Sequence, residues 1–386
     1  MYLVILGRQP AIGCAELEAV YGSDAVSRVG EELAMVEAES FDVERFGGVK
    51  KAGRVLEEFR VGGRERDERK VLDLVMSHVA EVDGKVTLGL SSYSRSWRAK
   101  DLQKIGLRVK TQMKKRGGSL RLVPNDTDAL STATSHHNKL GLSRNKVEVM
   151  LAEADGRMIM AASVGTQNIS AYAARDQKRP ARDMFVGMLP PKLAKVIVNL
   201  AVGESDAQVV LDPFCGTGVL LQEALLLGYD VLGTDLAEKM VDYSRRNLEW
   251  LSEVKRREFK YELSVGDAMR ADWRGFDVVA CEAYLGQPFS APPSPQKLAE
   301  VSRNCRHVIG SFLKNLARQT EPGTRVCVAV PVWRRVDGSM SGLNLLDSVE
   351  KLGYNAVKFK NATQPELIYY REGQVVGREL LVLVRR

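Results

Sequence analysis

The sequence is poor in the residues from which metal centres and disulfide frameworks are built. Its five cysteines, Cys14, Cys215, Cys281, Cys305 and Cys327, include no C-x-x-C pair. Zinc ribbons and thioredoxin-like motifs are therefore unsupported. An odd, scattered set suits the reducing cytoplasm better than a disulfide framework. The four histidines, His78, His136, His137 and His307, show no H-E-x-x-H spacing, so no metal is expected. No apolar run is long enough to span a bilayer, and no membrane association is expected. The first residues, Met1 to Gly7, lack a basic lead and a long apolar stretch; they read as a first strand, not a signal peptide. The G-x-G-x-x-G and G-K-[ST] patterns are absent as well, which disfavours NAD and ATP. There are no internal repeats and no low-complexity segment.

What remains is an ordinary soluble composition, 45% hydrophobic and 27% charged over 386 residues. At about 150 residues per domain, that length predicts two or three domains. The net charge of +7 is as compatible with a polyanionic partner as with a solvated basic surface.

The C-terminal half alternates strands with helices. Val209-Val210-Leu211 is a short β-branched run ending at Asp212. A turn-rich loop follows, Pro213-Phe214-Cys215-Gly216-Thr217-Gly218, and then an apolar helix from Val219 to Leu227. Asp230 to Thr234 is a second strand. Asp235 and Glu238 have capping-box spacing before a helix with an apolar stripe of Ala237, Met240, Val241, Leu248 and Leu251. Further strands are predicted at Tyr261–Val265, Phe276–Cys281 and Arg325–Val330. Ala356–Phe359 and Leu380–Val384 suggest a terminal antiparallel pair. This βαβαβ rhythm predicts an α/β fold with a mainly parallel, doubly wound sheet.

The first half is mixed α and β without a glycine-rich loop. Residues 98–116 form a basic helix containing Arg98, Lys100, Lys104, Arg108, Lys110, Lys114, Lys115 and Arg116. Gly117-Gly118 stops it, and a strand follows at Leu120–Val123. Residues 147–151 and 158–162, joined at Asp155-Gly156, predict a hairpin. Residues 166–183 are mostly polar and read as the connection into the second half.

The strongest local signal is the strand–loop–helix passage from Asp212 to Gly218. Gly216 and Gly218 permit close backbone approach and unusual φ angles. The helix start behind them offers free N–H groups to an anion, here a methionine carboxylate. Asp235, about twenty residues on at the next strand end, is placed to accept from two ribose hydroxyls. Asp267, after the third strand, can accept from an adenine amino group. Each acid alone has a structural reading, as a turn cap, a helix cap or a strand terminator. Three acids at successive strand ends beside a glycine loop point jointly to a nucleoside cofactor.

Asp212 to Gly218 resembles the first motif of amino-group methyltransferases, which implies S-adenosyl-L-methionine. The stretch Arg179 to Ala194 is similar to one in the archaeal and eukaryotic tRNA guanosine-10 N2-methyltransferases. Gln167 to Tyr172, Arg175-Asp176 and Asn138-Lys139-Leu140 fit the same family. The resemblance implies a ferredoxin-like domain at 1–82, an RNA-binding THUMP domain at 83–170 and a Rossmann-like catalytic domain at 171–386. It further implies a cytoplasmic enzyme acting on tRNA. The cofactor residues implied are Asp212, Pro213, Phe214, Cys215, Gly216, Thr217, Gly218, Asp235, Leu236, Asp267 and Ala268. Phosphate contacts are expected at Lys110, Lys114, Lys115 and Arg116.

One departure stands out. The family motif at the fourth strand end is Asp or Asn, Pro, Pro, then an aromatic residue. Here Glu282-Ala283-Tyr284-Leu285 occupies that place. The acid is one methylene longer, both prolines are missing, and the aromatic comes one position early. Glu282 is expected to accept from the target amine and Tyr284 to stack on the base. Two other readings stay open on this motif: an amino methyltransferase for another RNA or DNA position, and a tRNA-binding protein with a degenerate catalytic centre.

Overall fold

The structure, a computed structural model, describes residues 1–80, 82, 84–183 and 189–386, with only the backbone of Asp347. Met184 to Met188, inside the family-like stretch 179–194, lie outside the described residues. The chain divides into two compact units. The first holds residues 1–10, 24–45 and 49–171; the second holds 11–23, 46–48 and 172–386.

The first unit is built on one eight-stranded sheet. Its strands are β1 (Tyr2–Leu6), β2 (Val26–Arg28), β3 (Leu33–Val36), β4 (Val49–Arg60), β5 (Lys85–Tyr93), β6 (Ser119–Leu122), β7 (Lys146–Ala154) and β8 (Arg157–Thr166), in the order β2-β3-β1-β4-β8-β7-β5-β6. The predicted hairpin is β7–β8, with Ala154 opposite Arg157. Asp155 and Gly156 both have positive φ there, 48° and 69°, as a two-residue turn matched to strand twist requires. Helix α1 (Pro10–Tyr21) precedes β2, and its residues from 11 onward group with the second unit. α2 (Arg64–Ala80) and α3 (Ala99–Lys115) bury Val71, Val75, Leu102, Ile105 and Val109 against the sheet's apolar face. α4 (Thr132–His137) is capped by the Ser131 hydroxyl, which accepts from the Thr134 N–H.

The connection at 166–183 contains a helix, α5 (Ile169–Gln177). Its start is held by Asn168, whose Oδ1 accepts from the Ala171 N–H at 2.9 Å. Buried ion pairing explains a helix in so polar a sequence. Arg175 of α5 donates from Nε to Glu223 Oε1 at 2.5 Å and lies over the Tyr172 ring.

In the second unit α6 (Pro191–Val202) leads into the strands β9 (Val209–Asp212), β10 (Asp230–Asp235), β11 (Tyr261–Val265), β12 (Val278–Glu282), β13 (Arg325–Arg334), β14 (Met340–Ser341), β15 (Tyr354–Ala356), β16 (Ile368–Tyr369) and β17 (Val376–Arg385). Interleaved are α7 (Val219–Leu227), α8 (Glu238–Lys255), α9 (Pro295–Leu316) and α10 (Leu346–Val349). The strand order is β11-β10-β9-β12-β13-β17-β15. β9 to β13 are parallel; β17 runs antiparallel between β13 and β15. The order reverses between β9 and β12, and an open sheet of this kind places its ligand crevice beyond the carboxyl ends at such a reversal. A core of Leu193, Ile197, Val210, Leu221 and Val278 covers one side of the sheet. Val279, Ile309, Phe312 and Val328 cover the other. Among the described residues no helix is long and apolar enough to cross a membrane.

Candidate active site

β9 ends at Asp212 and β12 ends at Glu282, so the two acids flank the strand-order reversal. Asp212 is buried, and its Oδ1 accepts from the Phe214 N–H at 3.0 Å. Burial pushes its carboxyl well above the usual range, and the negative charges of Asp235 and Glu282 push it further. A buried carboxyl of this kind is suited to a cationic group, which would draw it back to the ionised form.

The loop between β9 and α7 folds back on itself. Gly216 (φ 52°) and Gly218 (φ 77°) both adopt left-handed conformations. A Cβ on Gly218 would lie 2.9 Å from Ser244 Oγ, whereas one on Gly216 would meet only the Phe214 carbonyl, at 3.9 Å. Gly218 is therefore required by packing, while Gly216 leaves the loop backbone open to a ligand. Pro213 and Cys215 are buried, and Phe214 meets Phe312 edge-on at 5.1 Å. Thr217 is half-buried.

Asp235 holds this loop from the neighbouring strand. Its Oδ2 accepts from the Gly216 N–H at 3.0 Å and its Oδ1 from the Ala237 N–H at 2.9 Å. The expected capping box is not formed: α8 begins at Glu238 with Ala237 as its N-cap. Asp235 instead closes a tight Asx turn, because its side chain is committed to its own strand end and the glycine loop. Leu236 is 71% exposed. Asp267 accepts from Met269 N–H at 3.0 Å and Arg270 Nε at 2.9 Å, and Ala268 is buried. The ends of β10 and β11 meet through Gly266 N–H to the Asp235 carbonyl, 2.9 Å.

Two site-forming residues escaped sequence reasoning. On α8, Ser244 Oγ donates to the Gly216 carbonyl at 2.9 Å, and Asn247 Nδ2 donates to the Thr217 carbonyl at 2.8 Å. Asn247 also exchanges two hydrogen bonds with Ala181, each 2.9 Å. The available signal was a pair of polar residues, three apart, on the stripe that buries Val241, Leu248 and Leu251. By contrast Ala237, assigned to that stripe, is exposed.

Glu282 is the last residue of β12, one position later than the predicted strand end. Its partner was also missed. Arg378 of β17 donates from Nε to Glu282 Oε1 at 2.7 Å, and both side chains are largely buried. Burial raises the Glu282 carboxyl from its ordinary range, while the Arg378 charge and hydrogen bond pull against it. Glu282 Oε2 takes no hydrogen bond from any described residue. Tyr284, two residues on, is 40% exposed, a state open to stacking.

In the first unit, α3 carries the expected basic face. Lys104 and Arg108 are occupied by Glu68, at 3.1 and 2.6 Å, and Arg98 pairs with Asp128 at 2.9 Å. Lys110, Lys114, Lys115 and Arg116 are exposed and make no ion pair with a described residue.

Residues 210–307 match a family model described as a methyltransferase domain, and residues 90–246 one described as a DNA methylase. The chain is 30% identical over 158 residues to the tRNA (guanine(10)-N2)-dimethyltransferase of Methanothermobacter thermautotrophicus, covering 41% of this chain and 42% of that one. It is 39% identical over 103 residues to the Pyrococcus abyssi enzyme of the same name, covering 27% and 26%. The chain thus spans less than half the length of these curated relatives. Among solved structures, TrmN from Thermus thermophilus aligns over 100% of this chain and 99% of its own, with a TM-score of 0.51 at 15% identity, a likeness of fold. The chain is thus similar, over part of its length, to tRNA (guanine(10)-N2)-dimethyltransferases, and its fold is like that of TrmN.

Proposed function

We propose that this protein is an S-adenosyl-L-methionine-dependent tRNA methyltransferase acting on the exocyclic N2 of a guanosine, position 10 favoured. The observation that carries the reading is the pair Asp212 and Glu282 at the two strand ends flanking the reversal, beside the glycine loop that Asp235 holds. The residues present fit the cofactor. Gly216 leaves its backbone open, Asp235 keeps unused acceptor capacity on both oxygens, and Asp212 is a buried acid suited to an ammonium. Asp212 to Gly218, Asp235, Leu236, Asp267 and Ala268 would hold it. When bound, the cofactor supplies an electrophilic methyl group.

The protein's part is positioning and electrostatics. A guanine amine is a weak nucleophile because its lone pair is delocalised into the ring. Glu282 Oε2 accepts a hydrogen bond from that amine and turns the lone pair out of conjugation. It then takes the proton that the nitrogen sheds as the new N–C bond forms. Tyr284 stacks on the extruded base. Lys110, Lys114, Lys115 and Arg116 contact phosphates, with residues 1–82, 83–170 and 171–386 as ferredoxin-like, THUMP and catalytic parts. The five cysteines are all buried, which accords with the cytoplasm. Mass-spectrometric mapping of tRNA incubated with the protein and labelled cofactor tests the reading. N2-methylguanosine is expected; label on adenosine or cytidine, or none on any tRNA, overturns it.

A further inference from the structure

The Glu282–Arg378 pair joins strands that are not neighbours. β13 lies between β12 and β17, with Glu282 opposite Ala329 and Arg378 opposite Pro331. Residues 282, 329, 331 and 378 thus share one face of the sheet. The arginine crosses above β13 over two side chains, Ala329 and Pro331, that carry no polar group. Only a long side chain with a terminal donor makes this reach.

We propose that Arg378 is a positioning residue for methyl transfer, pinning Oε1 of Glu282 so that Oε2 alone is presented to the target amine. This rests on the reading of Glu282 as the amine's acceptor. The loop after β12, from Ala283 to Gly286, contains no proline, so no ring stiffens its backbone. A charge-assisted bond from another strand supplies the fixation through the side chain instead. Burial opposes ionisation of Glu282, and Arg378 favours it. Among the described residues the Asp212 carboxyl at the end of β9 also faces Glu282, whose negative charge opposes ionisation of Asp212. β13 contributes no titratable side chain between Val328 and Pro331, and within β12 the neighbouring Cys281 thiol is held well above its usual range by burial.

The test is the pH dependence of single-turnover methyl transfer to tRNA by the full chain, with saturating cofactor. Folding and cofactor binding of each variant are checked by calorimetry. In Arg378→Met the acid-side limb should move up by roughly 1–3 pH units, since an opposing charge has been removed. Arg378→Lys should fall between that variant and wild type. A residual loss of about tenfold in Arg378→Met should persist above the limb, reflecting lost aim. In a Glu282→Gln background, Arg378→Met should change the rate less than twofold. The double variant has no unpaired buried charge, so it also covers the case in which Arg378→Met alone fails to fold. An unmoved limb in Arg378→Met and Arg378→Lys, or additive losses in the double variant, overturns the proposal. A wild-type rate in Glu282→Ala overturns the underlying reading instead, so the two failures are distinguishable.

Discussion

Asn247 of α8 and Thr217 of the glycine loop are joined by an Nδ2–H···O=C hydrogen bond of 2.8 Å. The same side chain pairs in both directions with the backbone of Ala181, so one buried amide ties loop, helix and incoming segment together. Asn247→Asp keeps an acceptor and removes both donors. It should leave two carbonyls without this partner and weaken cofactor binding at least tenfold. Stability should fall by roughly 1–3 kcal/mol, the usual cost of stranding buried polar groups. Calorimetric titration and denaturant unfolding would show both; unchanged affinity would mean the loop holds its shape without α8.

Asp212 predicts a trade between stability and binding. Its folded-state carboxyl is raised well above the unfolded value. The stability it contributes is therefore present below the ordinary aspartate range near pH 4, and is lost as pH rises through the raised value. Asp212→Asn should abolish that dependence and stabilise the ligand-free protein at pH 8, by about 1–3 kcal/mol. The same variant should bind a cationic cofactor more weakly. Thermal unfolding across pH 5–8 checks the first expectation and titration the second. A variant that is less stable at pH 8 and binds normally would refute the role.

On α3 the expected effect of charge reversal depends on position. Reversing Lys114, Lys115 and Arg116 should weaken tRNA binding and reduce the salt slope by up to about 3 units, one for each phosphate no longer neutralised. Lys104→Glu and Arg108→Glu instead face the Glu68 carboxylate, already engaged by both. Reversal there should cost stability first. Filter binding between 50 and 200 mM salt separates the cases. Equal salt slopes for wild type and the triple variant would reduce the helix end to a solvated face.

The central strands of the second unit, β9 to β13, were legible because β-branched runs alternate with glycine and acid-rich turns. Helices α7, α8 and α9 connect β9 to β10, β10 to β11 and β12 to β13, as parallel neighbours require. The glycine loop and the acids Asp212, Asp235 and Asp267 were legible for the same reason: local spacing puts each at a strand end. What could not be read is what depends on distant partners. Arg378 meets Glu282 across 96 residues, and β17 looks like any apolar strand until its register is known. Asn247 and Ser244 lie on the buried stripe of α8, and nothing in the local sequence marks them as holding the glycine loop. The residues of α1 that group with the second unit, and a helix at 169–177 within a polar stretch, answer to burial against other elements. Local propensity carries no record of that.

Glu282 carries the central claim. Glu282→Gln loses the charge and keeps one acceptor oxygen, which Arg378 claims, so its amide N–H faces the target amine and turnover should fall with tRNA affinity retained. Glu282→Ala also leaves Arg378 buried without its partner, at a stability cost of about 3–5 kcal/mol. Rates must therefore be compared at temperatures where both proteins are folded.

The most direct measurement is the single-turnover rate of methyl transfer to tRNA by wild type and Glu282→Ala, with cofactor and tRNA both saturating. A loss of roughly 10²-fold or more is expected, on the scale of deleting one preorganised polar group from an active site. A wild-type rate in Glu282→Ala would make the acid a bystander and contradict the assignment.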